Sequence, residues 1–184
     1  PGNVLMDAAV QSAGLGNYDR DGLLAASGRS DRLTVERFLQ DQYFAAPPPK
    51  STGREYFNAE RLDQIASWQK KTLSPADLLS TLLDITVNSV VAAVTALSGH
   101  IRLPADLAVS GGGALNPELM RRLTLRLKDI VTVTTSDAFG VPVMAKEAMA
   151  FAVLGNAFVR HRPGNLPAAT GATARVVLGG LYPA

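Results

Sequence analysis

The amino-acid sequence predicts an α/β fold, and three observations support that prediction. The second half alternates short apolar or β-branched runs with helical segments, which is typical of parallel strands joined by crossover helices. A long helix with apolar side chains at helical spacing precedes this alternation. With 47% hydrophobic and 18% charged residues among 184, the chain has enough apolar side chains for one core, which excludes global disorder.

The first half of the sequence predicts helices and loops. Val4–Ser12 is expected to be a short helix, a Gly-Leu-Gly-Asn turn follows at 14–17, and Leu33–Gln42 shows helical spacing. The prolines of Ala45–Pro49 predict an extended connector, because proline lacks a backbone donor and cannot continue a helix.

Two helices are expected after the connector, at Ala59–Gln69 with Asn58 as N-cap, and at Pro75–Leu97 with Ser74 as N-cap. The second is long enough to span a membrane, but Asp84 and Asn88 lie near its middle, and an aspartate there would cost roughly 2.5–3.5 kcal/mol. We therefore predict an amphipathic core helix and no membrane association. Its polar residues are expected on the exposed face: Asp77, Thr81, Asp84, Asn88 and Thr95.

The second half predicts the sheet. Strands are expected at Asp106–Ser110 and Ile130–Thr134, joined by a helix that begins at Asn116-Pro117 and ends at about Lys128. The long helix is expected to pack on this sheet. An Ala-rich helix at Met144–Val159 and a last strand or edge at Arg175–Leu178 complete the predicted order.

The strongest local motif is a strand that runs into three glycines, Gly111, Gly112 and Gly113, and then into a capped helix. Backbone N–H groups at a helix N-terminus attract phosphate, and missing side chains let a nucleotide lie against the main chain. The spacing is neither G-x-G-x-x-G nor that of a P-loop. By shape alone, a nucleotide site and a tight turn without a ligand are equally favoured.

The remaining polar residues indicate no metal or nucleic-acid site. The chain has no cysteine, and His100 and His161 are isolated, so metal binding is not predicted. The net charge is only +2, and the basic residues of the 117–128 helix are interpreted as a solvated face. The loop Lys50–Glu55 is likewise interpreted as solvated, whereas Glu147 suits either a sugar contact or a favourable charge in a first helical turn.

Several segments, in family order and from the first residue nearly to the last, resemble the C-terminal part of the anhydro-N-acetylmuramic acid kinase family. They are Pro1–Asp7 (PGNVLMD), Lys50–Asn58 (KSTGREYFN), Val109–Asn116 (VSGGGALN), Phe139–Pro142 with Lys146–Ala152 (KEAMAFA), and Pro163–Gly171 (PGNLPAATG). Because family members are longer at the N-terminus, residues 1–184 are expected to be a C-terminal domain truncated within the second phosphate-binding motif.

The resemblance implies a ribonuclease-H-like domain of the actin-like ATPase superfamily, with long packing helices, as the C-terminal half of a two-domain kinase. The implied reaction uses ATP and water to open the anhydro ring of 1,6-anhydro-N-acetylmuramic acid and to phosphorylate O6, in cytoplasmic recycling of cell-wall sugar. ATP and Mg²⁺ are the implied cofactors. The catalytic aspartate and the first phosphate loop would lie in the N-terminal domain, so no catalytic residue is expected in this chain, and alone it is expected to be inactive.

The same resemblance assigns residues in this chain to two ligands. Gly111, Gly112 and Gly113 would form the adenosine motif, Gly2 and Asn3 would belong to the second phosphate motif, and Glu147 would contact the sugar. The sequence departs from the family pattern at Leu115, where a histidine is expected, and at Ala138, where an acidic residue is usual. The departure at Leu115 affects the expected base contacts beside the glycines.

The implied partners are the amino-sugar substrate and the N-terminal domain, with a homodimer left open and neither nucleic acid nor membrane expected. A second interpretation stays open, in which the chain is a non-catalytic nucleotide-binding or assembly module on an actin-like fold, because a fold does not determine a function.

Overall fold

The computed structural model describes residues 1–47, 49–68, 72–97, 99–100, 102 and 104–182. Short 3₁₀ turns lie at Arg20–Gly22, Gly112–Leu115 and Ser136–Phe139. The helices and strands, in chain order, are α1 (Val4–Ser12), α2 (Leu23–Ser27), α3 (Arg32–Leu39), α4 (Gln42–Ala45), α5 (Ala59–Ser67), α6 (Pro75–Leu97), β1 (Asp106–Val109), α7 (Pro117–Leu127), β2 (Thr132–Thr135), α8 (Lys146–Val159) and α9 (Pro167–Thr170).

The two strands form a small parallel sheet. Asp106 pairs with Thr132 and Val109 with Thr135, and α7 is the crossover helix between the strands. Parallel neighbours need such a crossover. The α/β prediction is confirmed at this level, although β2 begins two residues later than expected, because the Ile130 N–H closes a turn onto the Leu127 carbonyl (2.8 Å).

Helix α6 forms the centre of the core. Its fully buried side chains include Leu79, Leu82, Leu83 and Ile85, and it packs chiefly against α1, α2, α3 and α7. The helix that contacts β2 most directly is α7, so the sheet joins the core mainly through α7 rather than through the long helix as predicted. By length and composition α6 could cross a membrane, but half of its most apolar stretch is buried inside the protein, which is typical of a core helix.

Polar caps begin the helices where the sequence predicted them. Asn58 accepts a hydrogen bond from the Arg61 N–H (3.2 Å) at the start of α5. Ser74 accepts one from the Asp77 N–H (3.2 Å) at the start of α6. Such caps satisfy N–H groups that have no acceptor inside the helix, so they act locally and can be predicted from sequence. Gln69, the predicted end of α5, lies outside the described residues.

The predicted length of the helix over Leu33–Gln42 is wrong, because α3 ends at Leu39 and a separate helix, α4, begins at Gln42. Asp41 caps α4 by accepting from the Tyr43 N–H (2.9 Å). Its carboxylate also accepts from the Tyr56 hydroxyl and pairs with Arg61 (3.0 Å). Burial alone would raise the pKa of Asp41, but these hydrogen bonds outweigh it and hold the pKa below its usual value. Of the predicted connector that follows, Pro48 lies outside the described residues.

Of two polar side chains expected at the surface, one is buried and the other is largely covered. Thr81 is fully buried, where its hydroxyl donates to the Asp77 carbonyl (2.7 Å) and accepts from the Asp31 N–H (2.9 Å). Arg122 was assigned to a solvated face, but its side chain is only 14% exposed. Its guanidinium donates to Glu118 (2.7 Å) and to Asp84 (2.8 Å), as well as to Ser80 and to the Ala25 carbonyl. All five of its N–H groups therefore have acceptors.

The predicted last strand at Arg175–Leu178 is wrong. The segment is extended without strand pairing, and within the described ranges it has no neighbouring strand. Instead, the Val176 N–H donates to the Asn165 side chain (2.7 Å), and the Val176 carbonyl accepts from the Gly164 N–H (3.0 Å). A β-branched run forms a strand only where a partner strand completes its hydrogen bonds.

Candidate functional site

A cleft of ≈ 460 Å³ opens where the start of α1, the glycine turn and the segment before α2 come together. Its volume is that of a small-molecule site. The residues that line it are Asn3, Met6, Asp7, Asn17, Tyr18, Asp19, Asp21, Gly112, Leu115, Asn116 and Met144.

The glycine turn is held by its own backbone and by the cap of α7. Gly111 has φ +77°, a conformation that favours glycine, and its N–H donates to the Val143 carbonyl (2.8 Å). The Asn116 side chain accepts from the Leu119 N–H (3.0 Å). Gly112 lines the cleft, so the turn presents backbone without a side chain to it at that position.

Asn3 lies directly against this turn, although more than a hundred residues separate them in sequence. A Cβ added at Gly112 would lie 3.4 Å from Asn3 Nδ2, and one added at Gly113 would lie 3.7 Å from Asn3 Oδ1. Asn3 precedes α1 but makes no capping hydrogen bond with its side chain. Its Oδ1 is buried and has no hydrogen-bond partner among the described residues. The fold therefore brings together two of the residues assigned to nucleotide binding, Asn3 and Gly112.

The other assigned residues lie near the cleft or away from it. The Gly2 carbonyl accepts from the Thr86 hydroxyl (2.9 Å), which ties this segment to α6. Gly113 is packed behind the turn, where an added Cβ would come within 3.1 Å of Leu119. Glu147 is exposed in the first turn of α8 and does not line the cleft, whereas Met144 does.

Asp7 is a cleft residue that the sequence reasoning missed. It follows Asn3 by four positions, so both side chains lie on the same face of α1, and that spacing could have identified it. Burial raises the pKa of the Asp7 carboxyl, and the charge of Arg54 partly offsets this rise. Arg54 belongs to the loop that was interpreted as solvated, and its charge acts on a carboxylate of the cleft.

The segment 17–21 was also missed, because its position depends on contacts distant in sequence. Asp19 is buried and accepts from the N–H groups of Leu24 and Ala25 (both 2.9 Å), which anchors the segment to α2. Gly22 lies so close to Asn116 that an added Cβ would overlap the asparagine side chain. The segment and the glycine turn are thus positioned by the same residue, Asn116.

Leu115 and Ala138, where the sequence departs from the family pattern, have different surroundings. Leu115 is 57% exposed and lines the cleft, whereas Ala138 is exposed in the 3₁₀ turn Ser136–Phe139, outside the cleft. In the part of the chain that the structure describes, no group of three or more His, Cys, Asp or Glu side chains is placed to hold a metal ion.

The fold and the cleft define an α/β protein with a cleft of small-molecule size between a glycine turn and the start of a helix. Residues 1–184 match the family model for anhydro-N-acetylmuramic acid kinase. The chain belongs to this family.

Curated relatives show the same similarity over the full length of the chain. Proteins named anhydro-N-acetylmuramic acid kinase are 42% identical in Pseudomonas savastanoi, 45% in Shewanella sediminis and 43% in Ralstonia nicotianae, each over 184 residues and 100% of this chain. The alignments cover 49%, 48% and 47% of those proteins, respectively. The chain therefore spans about half the length of the curated relatives it matches.

Proposed function

We propose that this chain is the C-terminal half of a cytoplasmic kinase that uses ATP and water to open the anhydro ring of 1,6-anhydro-N-acetylmuramic acid and to phosphorylate O6. The observation that carries the proposal is the contact between Asn3 and the glycine turn at Gly112 inside one cleft. Two segments that separately resemble the family's nucleotide-binding motifs, at Gly2–Asn3 and at Gly111–Gly113, thus contribute to one surface. Family membership supplies the reaction, because the matching relatives are named as kinases of this sugar.

In this proposal the chain binds the nucleotide and orients it. The nucleoside lies against the bare backbone of the glycine turn, and the Asn3 side chain supplies the buried amide that faces it. The phosphates extend toward Gly2 at the start of α1. Phosphoryl transfer depends mostly on such positioning, so binding here contributes to catalysis even though the catalytic aspartate is assigned to the other half.

The cleft residues fit Mg²⁺ bound together with ATP better than a separate metal site. Mg²⁺ is usually held by phosphates and one or two carboxylates, and Asp7 provides a carboxylate on the same face of α1 as Asn3. When bound, the ion would neutralise charge that develops on the phosphates. Glu147 is assigned to the sugar, since it is exposed and therefore free to meet a substrate held between two domains.

In this proposal each half has a ribonuclease-H-like fold, and the surface of this chain supports the presence of a second domain packed against it. The accessible surface is 12017 Å², whereas a compact monomer of this length exposes about 8,500 Å². Helix α8 is rich in apolar residues and has no buried residue. An apolar helix of this kind normally packs against another domain. A non-catalytic module is not favoured, because the relatives are named as kinases.

The experiment that tests the proposal compares ATP binding and thermal stability for Gly112→Val and Gly155→Val. An added side chain at Gly112 meets only Asn3 at 3.4 Å, and one at Gly155 meets nothing within 4 Å, so both variants should stay folded. Only Gly112→Val fills space in the cleft. We expect it to weaken ATP binding at least about tenfold, equivalent to about 1.4 kcal/mol, while the Gly155→Val control binds ATP like the unaltered chain.

An unchanged dissociation constant in the folded fraction of Gly112→Val would remove the nucleotide role of the turn. The 184-residue chain is also expected to show no turnover of ATP and 1,6-anhydro-N-acetylmuramic acid by itself. Robust phosphorylation of the sugar by the purified chain would contradict the assignment of the catalytic aspartate to the other half.

A further inference from the structure

One wall of the cleft is formed by a segment to which the proposed function assigns no role. Asn17, Tyr18 and Asp21 all line the cleft and all come from the five residues between 17 and 21. Tyr18 is 57% exposed, and Asp21 is also exposed. Within the described ranges, the side chains of Tyr18 and Asp21 make no hydrogen bond or ion pair of their own, so both are available to a ligand.

We propose that this segment binds the hydroxyl-bearing sugar ring of a ligand in the cleft, with Tyr18 packed against the ring and Asp21 accepting hydrogen bonds from its hydroxyl groups. The inference rests on the proposed function, which brings two such rings to the protein, the ribose of ATP and the amino sugar. The shared chemistry is a ring with one apolar face and hydroxyl donors at its edge.

The charges of the cleft favour a ring over a phosphate at this wall. Asp21 lines the cleft at this wall, and its carboxylate repels phosphate groups but accepts hydrogen bonds from neutral hydroxyl groups. The Asn3 Oδ1, buried in the same cleft without a partner among the described residues, is a further acceptor. An exposed tyrosine contributes apolar area with a polar end, which suits a sugar ring.

The segment is also rigid enough to position these groups. The Asp19 carboxylate fixes it to α2 by accepting hydrogen bonds from two backbone N–H groups, and Gly22 lies against Asn116. Between these anchors, the Gly22 N–H donates to the Asp19 carbonyl (3.2 Å), and Asp21 holds φ +57°. That backbone conformation favours glycine, so replacing Asp21 by glycine should relieve strain and stabilise the fold.

The test measures dissociation constants of the 184-residue chain and its Asp21→Asn variant for three probes, ATP, 2′,3′-dideoxy-ATP and 1,6-anhydro-N-acetylmuramic acid. Asparagine tolerates a positive φ and keeps the shape of the side chain, so the variant removes mainly the charge. Asp129→Asn is the matched control, because Asp129 is exposed and does not line the cleft.

We expect Asp21→Asn to lower the affinity for one of the two natural ligands, ATP or the amino sugar, about tenfold. Asp129→Asn should change the affinity for neither. If the ring is the ribose, the unaltered chain prefers ATP to the dideoxy analogue and Asp21→Asn loses that preference. If the ring is the amino sugar, Asp21→Asn binds both nucleotides normally and loses affinity only for the sugar. Tyr18→Phe should keep the affinity for the ligand that Asp21→Asn affects, because the aromatic ring remains, whereas Tyr18→Ala should lower that affinity.

Thermal melting of Asp21→Gly separates a ligand role from a structural one. We expect a melting temperature at or above that of the unaltered chain together with weakened binding, whereas a lower melting temperature contradicts a strained, ligand-facing Asp21. If the unaltered chain binds a probe, and Asp21→Asn binds each of the three probes with the same dissociation constant as the unaltered chain, this inference is overturned and the proposed function stands. If the unaltered chain binds neither ATP nor the sugar, the proposed function and this inference are both overturned.

Discussion

Residues up to Val143 and residues after it differ in how they use apolar side chains. Among the described residues, all buried hydrophobic side chains lie from Leu5 to Val143, and none after Val143 is buried. Yet α8 is as apolar as a core helix, with Phe151 and Val159 more than 70% exposed. The difference shows that a stable core and an unsatisfied apolar surface can occur in one chain, and that helix composition alone does not locate the core.

The comparison is sharpened most by Leu83→Ala, which truncates a fully buried side chain of α6. We expect a loss of about 2–5 kcal/mol in the free energy of unfolding, because the substitution removes buried apolar area and leaves a cavity. Urea unfolding followed by circular dichroism measures this loss. A cost below about 1 kcal/mol would mean that α6 is not the centre of the core.

A smaller effect is expected from Glu118, whose carboxylate accepts hydrogen bonds from Arg121 and Arg122 in the core region (both 2.7 Å). The Arg121 hydrogen bonds are the main cause that lowers its pKa from 4.5 to about 2, assisted by Arg122 and opposed by burial. A lowered folded-state pKa contributes stability above the unfolded value of 4.5, and this contribution is lost as the pH falls toward 2. Because Arg121 is half-exposed and screened by solvent, we expect the Glu118 carboxylate to contribute about 1–3 kcal/mol to the free energy of unfolding at neutral pH.

The measurement compares the unaltered chain with Glu118→Gln from pH 7 to pH 2. The difference in unfolding free energy should be constant above about pH 5 and should shrink toward pH 2. Glu36→Gln is the control, since its ion pair with Arg32 is exposed (3.3 Å) and should contribute little. A difference for Glu118→Gln that does not depend on pH would contradict the proposed ion network.

The smallest effect is expected on the other side of the comparison, from Phe151→Ala in α8. Phe151 is 73% exposed, so the free energy of unfolding of the isolated chain should change by less than about 0.5 kcal/mol. The same urea unfolding measures it beside Leu83→Ala. A loss above about 2 kcal/mol would show that α8 packs into the core in solution and would remove the contrast between the two regions.

The sequence by itself determined the local elements, because their causes lie within a few residues. The caps at Asn58, Ser74 and Asn116, the crossover helix and the parallel strands follow from short-range hydrogen bonding and from apolar periodicity. The residues of the glycine turn could be identified as a candidate site for the same reason, although the turn alone left a nucleotide and a plain turn equally favoured.

Only the tertiary structure decided which residues share the cleft and which polar groups are buried. The contact of Asn3 with Gly112 and the seating of Gly22 on Asn116 join segments about a hundred residues apart, which no local pattern encodes. Thr81 is polar by sequence but fully buried, and Arg122 is largely covered by the helices around it. Arg175–Leu178 has strand-like composition but no partner strand in the described part of the chain. Burial and pairing depend on what lies opposite a residue in space, and sequence spacing does not report that.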